Sequence, residues 1–133
     1  MKRSTIEDPT FPTCPVRNIL ARLCDKWALM VLYLLARSQS GKLRFTELKQ
    51  AMPDISQKML ATTLRTLEED GYITRQLHAE VPPRVEYALT ARSETLRPIL
   101  EELLVWAVEH MDAVMRDRKK AHESKNENKS RNE

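Results

Sequence analysis

Glycine is scarce: the chain of 133 residues has two. An all-β sandwich needs many more for its tight turns, so a helical protein with short loops is expected. Aromatic residues are also few, at 5%. The longest apolar run, WALMVLYLLA from Trp27 to Ala36, is about half of what spans a bilayer. The N-terminal MKRSTIEDPTFP lacks the apolar stretch of an export signal. A cytoplasmic protein with no membrane partner is therefore expected, its two thiols, Cys14 and Cys24, reduced. His78, His110 and His122 share no ligand spacing with each other or with the cysteines. No glycine-rich phosphate loop and no nucleophile–base pair is legible. The expectation is no metal, no cofactor, no catalytic residue and no enzyme.

What is present suits one domain, with 41% hydrophobic and 31% charged residues. The net charge is +3, and residues 119–133 supply +2 of it through five basic and three acidic residues. The remainder is nearly neutral. If the partner is a nucleic acid, charge placement must matter more than charge total.

Residues 1–13 hold two prolines and no periodicity, which reads as a flexible arm. Val16, Ile19, Leu20 and Leu23 recur at helical spacing, with Pro15 suited to the first turn and Cys14 to the cap. Asp25 can cap a second helix over 26–37, apolar on nearly every side and so buried. SQSGK (38–42) is a turn, and RFTELKQAM (44–52) a short helix turning Phe45, Leu48 and Met52 inward. Pro53-Asp54 breaks it, Ser56 caps the next helix, Leu60, Leu64 and Leu67 form its stripe, and Gly71 stops it. YITRQLH and RVEYALT read as two strands joined through AEVPP. Thr90 caps a last helix ending near Arg118, with Pro98 as a kink, and 119–133 reads as a disordered polar tail.

A short helix, a sharp turn and a longer helix make a helix-turn-helix, and a hairpin straight after makes it winged. The fold class is thus mainly α with a small β-hairpin wing, the winged domain filling 14–118. In such folds the second helix enters the DNA major groove and the wing lies on the backbone. At about 100° per residue, Lys58, Thr62 and Arg65 lie opposite the leucine stripe, and Ser56, Gln57 and Lys58 form the leading turn. These residues are the expected DNA contacts, together with Arg44 and Lys49 on the preceding helix. Two readings stand for Arg84. Either the stiff Pro82-Pro83 turn presents it to a phosphate, or it is solvated or pairs with Glu86.

The stretches CPV (14–16), KW with its apolar continuation (26–35), 44–73 and EVPPRVEYALT (80–90), in this order, resemble the HxlR family of bacterial transcriptional regulators, relatives of the MarR winged-helix group. The resemblance implies a homodimeric, DNA-binding repressor or activator. It also implies a small-molecule or oxidant effector, since several such regulators sense quinones, aldehydes or oxidants through a cysteine in the region of Cys14. A thiol at a helix cap with Arg17 one turn away suits that role, because both features favour thiolate. Cys24 reads as inert packing. Some 15 Å of helix separates the two, too far for an intrachain disulfide.

The last helix, about 91–118, is longer than a compact winged domain needs. Its Leu103, Leu104, Val108, Met111 and Met115, with Val16, Ile19 and Leu20, are the expected two-fold dimer interface on a pseudo-palindromic operator in double-stranded DNA. The competing function class is a winged-helix protein-interaction module that binds no DNA.

Overall fold

The computed structural model describes residues 14–132. The expected arm of 1–13 lies outside the described residues. The chain divides into two units, meeting between Thr95 and Leu96.

In the first unit the leading helix is not a uniform α-helix. Val16–Leu20 is π-helical and is followed by a single α turn, α1 (Ala21–Leu23). The Ala21 N–H donates to the Val16 carbonyl, five residues back. The N-cap is Pro15, with no side-chain cap bond, so the Cys14 thiol does not cap. The Cys14 carbonyl accepts from the backbone and side-chain N–H groups of Asn18, both at 3.0 Å.

The next helix starts as expected: Asp25 Oδ2 accepts from the Trp27 and Ala28 N–H groups, opening α2 (Lys26–Arg37). Ala28, Val31, Leu32 and Leu35 are buried, but Met30 is exposed and Trp27, Leu29 and Tyr33 are half-buried. The helix therefore has one buried face rather than burial all round.

A short strand, β1 (Lys42–Arg44), then precedes α3 (Phe45–Ala51). Lys42 thus lies in a sheet, not only in a turn. The longer helix of the motif is α4 (Gln57–Glu69). It ends in a Schellman motif: the Tyr72 N–H donates to the Leu67 carbonyl and the Gly71 N–H to that of Glu68. Gly71 has φ 77°, a left-handed conformation that selects glycine, and a Cβ there would meet only the movable end of the Arg92 side chain, at 2.7 Å.

The wing strands are β2 (Ile73–His78) and β3 (Arg84–Leu89). They pair antiparallel from Ile73↔Leu89 to His78↔Arg84, and β1 pairs on the far side of β3 from Lys42↔Ala88 to Arg44↔Glu86. The expected β2–β3 hairpin of the wing is present, and β1 extends it to a three-stranded sheet in the order β1-β3-β2. Leu32, Leu35, Leu48, Met52, Leu60, Leu64 and Ile73 are fully buried and form the core. Each such side chain contributes about 1.5–3 kcal/mol on burial.

The last helix, α5 (Ala91–Arg131), begins on this unit. Thr90 Oγ1 accepts from the Ser93 N–H at 3.3 Å and donates to the Gly71 carbonyl at 2.8 Å. Ser93 is buried, and its hydroxyl donates to the Tyr72 carbonyl. Pro98 sits inside the helix and supplies no N–H to its ladder.

The second unit, from Leu96, is the rest of α5. From Glu101 onward every described residue is exposed. The helix runs past Arg118 to Arg131, where a disordered tail was expected. No glycine or proline interrupts 119–131, and Lys119/Glu123 and Glu127/Arg131 have the spacing of helix-supporting charge pairs. Among the described residues no helix is long and apolar enough to cross a membrane.

Candidate nucleic-acid interface

The turn between α3 and α4 fixes how α4 is presented. Ile55 is buried and anchors the turn, and its N–H donates to the Met52 carbonyl at 3.2 Å. Ser56 Oγ accepts from the Met59 N–H at 3.0 Å and caps α4. Leu60, Thr63, Leu64 and Leu67 are buried, so the opposite face must meet solvent. That face carries Lys58, Thr62 and Arg65, and Gln57 lies in the leading turn; all four are exposed. Thr62 donates to the Lys58 carbonyl at 3.0 Å, which leaves its hydroxyl oxygen able to accept. Lys58 and Arg65 are two turns apart, and neither has an ion pair among the described residues.

The residue that sequence reasoning missed is Arg75. It lines a cleft of about 490 Å³ with Ala61, Leu64, Arg65, Glu68 and Tyr87. Arg75 is exposed, lies opposite Tyr87 in the sheet register, and has no ion pair among the described residues. Two arginines and one glutamate thus share a cleft between α4 and β2. The signal was in the sequence: counting by twos from the buried Ile73 puts Arg75 on the face turned toward α4.

Arg84 is placed differently from a presented cation. Its Nε lies 2.9 Å from Glu86 Oε1, and its Nη2 lies 3.3 Å from Glu80 Oε1. Glu86 is also 3.5 Å from His78 Nε2 and 4.0 Å from Lys42 Nζ. The pairing alternative is the observed geometry, because Glu86 sits two residues along the same strand face. The tip residues Glu80, Val81, Pro82 and Pro83 line a second cleft, about 380 Å³, with Arg44, Phe45 and Thr46. Arg44 is exposed at the start of α3, where its N–H donates to Glu47 Oε1 at 3.0 Å. Lys49 is half-buried, and its ammonium donates to the Pro53 carbonyl at 3.3 Å.

The two cysteines exchange the environments expected of them. Cys14 is fully buried and Cys24 is exposed, and both are free thiols. The π-helical segment shifts the phase of the helix, and Cys24 falls outside it at φ −84°, ψ 17°.

The expected dimer residues are uncovered within the single chain. Val16, Ile19 and Leu20 are exposed in the first unit. In the second, Leu103, Leu104, Val108, Met111 and Met115 are exposed, joined by Ile99, Val105, Trp106 and Val114. Trp106 stacks on His110 with ring centroids 4.4 Å apart.

Comparison with known proteins adds the decisive observation: the family model for the HxlR-like helix-turn-helix matches residues 22–115. The chain belongs to the HxlR-like family. It is 44% identical over 93 residues to an HTH-type transcriptional regulator of Methanothermobacter thermautotrophicus, covering 70% of this chain and 69% of that one. Among solved structures it is similar to the transcriptional regulator ytfH from Salmonella typhimurium, with TM-score 0.71 and 32% identity over 84% of this chain and 97% of that one. It is also similar to the redox regulator HypR in its oxidized form, with TM-score 0.65 and 38% identity over 72% and 96% of the two chains. The fold is that of the winged-helix MarR/HxlR-type regulators, and the HxlR-like family is one of transcriptional regulators.

Proposed function

We propose that this HxlR-like regulator is a cytoplasmic homodimer that reads a pseudo-palindromic operator in double-stranded DNA. The observation that carries the reading is the exposed face of α4, where Lys58 and Arg65 have no ion pair among the described residues and Arg75 stands beside Arg65 across the cleft to β2. Like charges held together around a single glutamate are relieved by an anion, and phosphate is the anion that a winged helix meets. Gln57, Lys58, Thr62 and Arg65 face the bases, Ser56 sets the leading turn, and Arg44, Lys49 and Arg75 hold the backbone. Arg84 first stiffens the wing through Glu86 and Glu80 and contacts phosphate at the cost of those pairs. A salt titration of duplex binding tests the reading. Affinity should fall steeply with salt as counterions leave the duplex. No binding at low salt would overturn it.

The exposed apolar side chains of α5, together with Val16, Ile19 and Leu20, support dimerisation, since so many uncovered large apolar groups on a short chain call for a second surface. A thiol response is the finer part of the proposal, supported by the similarity to HypR, a redox regulator. Cys14 is the sensing residue in this reading. Its burial requires that it be uncovered before an oxidant reaches it, whereas Cys24 is open to solvent. Oxidant should give a reducible intersubunit species on a non-reducing gel, absent in Cys14→Ser. A species lost only in Cys24→Ser would move the role to Cys24.

A further inference from the structure

The end of α5 carries charge that the winged domain does not use. Within 112–131 the chain holds Arg116, Arg118, Lys119, Lys120, Lys125, Lys129 and Arg131 against Asp112, Asp117, Glu123 and Glu127. All of these are exposed. They are not mixed evenly. Arg118, His122, Lys125 and Lys129 follow one another in steps of four, three and four residues, so they form one stripe along the helix. Asp117, Glu123 and Glu127 fall on the other half of the helix, with Arg116, Lys120 and Arg131. One half therefore carries mixed signs and the other carries cations with no acid. None of the stripe residues has an ion pair among the described residues, and the Arg118 guanidinium meets only Met115 Sδ, at 3.8 Å.

The stripe also continues a seam. Leu104, Ala107, Met111 and Val114 precede Arg118 on the same face with the same alternating steps. One line along the helix thus changes from apolar to purely basic just beyond residue 115, where the family match ends. A second copy fits the apolar stretch. Continued in parallel past Arg118, it would set like charges against each other, which is unfavourable. The basic stretch is therefore left for an occupant of opposite charge.

We propose that this stripe is a second DNA-binding surface, which grips phosphates of duplex DNA without reading sequence. The proposal rests on the DNA-binding function proposed above. Successive cations rise about 4.5–6 Å along the helix axis. A strand of duplex offers a phosphate about every 3.4 Å of its own axis, so neighbouring cations can take separate phosphates. Such contacts add affinity and salt dependence but no sequence preference.

The test is fluorescence anisotropy of the full-length chain with a random-sequence duplex of about 40 bp over a range of salt. The probe is that duplex alone. The variants are Lys125→Gln and Lys129→Gln singly, and Arg118→Gln/Lys125→Gln/Lys129→Gln together, since glutamine keeps helix propensity. Each single change should lower the salt slope by about one ion per chain, and the triple by about three. The triple variant should bind operator and random duplex alike at least about tenfold more weakly at low salt, with the ratio of the two affinities unchanged. Lys129→Arg should bind as wild type. Circular dichroism and sedimentation should stay unchanged in the single variants, which decide the matter if the triple one loses its helix or its dimer. Single variants with wild-type slope and affinity would overturn the stripe while leaving the α4 interface standing. A wild-type chain that binds no duplex would remove both. A wild-type slope on DNA together with charge-dependent binding to an acidic protein or an anionic vesicle would also overturn the assignment to DNA.

Discussion

The helices α4 and α5 make opposite use of their apolar residues. α4 buries Leu60, Thr63, Leu64 and Leu67 against its own chain and leaves a polar face to solvent. α5 begins in the same way, with Ser93 buried and tied to Tyr72, but from Glu101 onward none of its described side chains is buried. Val108 is 66% exposed and Trp106 56% exposed, although both are residue types that normally anchor cores. The difference separates two sources of stability. The winged unit has a core of its own, so its folding should not depend on protein concentration. The apolar stretch of α5 gains its burial only from another molecule, so its order should depend on concentration.

The comparison can be broken first at α5. Val108→Asp/Met111→Asp places carboxylates in the proposed seam. Sedimentation equilibrium should find a monomer, and operator affinity should fall the most of any variant here, because a single recognition helix then binds alone. The melting of the winged unit should not change. Next comes α4: Leu64→Ala should destabilise the winged unit by about 2–5 kcal/mol, read from a urea or thermal transition, at any protein concentration. If Leu64→Ala and Val108→Ala showed the same concentration dependence, the distinction between the two helices would fail.

The polar face of α4 sharpens the same comparison. Lys58→Ala and Arg65→Ala should each cost about 1–3 kcal/mol of operator affinity with folding unchanged. Arg75→Ala should weaken operator and random duplex alike and lower the salt slope by about one. The smallest effect belongs to Arg84→Ala. Its guanidinium is paired but still 28% exposed, so the wing should lose about 1 kcal/mol or less, measured by chemical denaturation.

What the sequence made legible was local. Ser56, Gly71 and Thr90 announce the ends of α4 and the start of α5 because each cap is a bond to a backbone group a few residues away. The spacing of Leu60, Leu64 and Leu67 tells which way α4 faces. What escaped was non-local. β1 is three residues long, and its partner, β3, is more than forty residues onward, so no local pattern marks it. Arg75 joins Arg65 only once β2 lies beside α4. For Arg84 the pairing with Glu86 was one of the two readings open in the sequence, but the second partner, Glu80, comes to it only through the turn of the hairpin. The environments expected of the cysteines hold for an ideal α-helix, and the π-helical segment displaces that phase. The end of α5 was missed for a different reason. Its polar composition is that of a disordered tail, yet the stretch contains no helix breaker.

The most direct test of the central claim is sedimentation of a labelled operator duplex, recovered by selection from random sequence, with the full-length chain across a salt series. Two chains should bind per duplex, with affinity falling steeply as salt rises. One chain per duplex at full affinity would contradict the dimer, and no complex at low salt would contradict DNA binding itself.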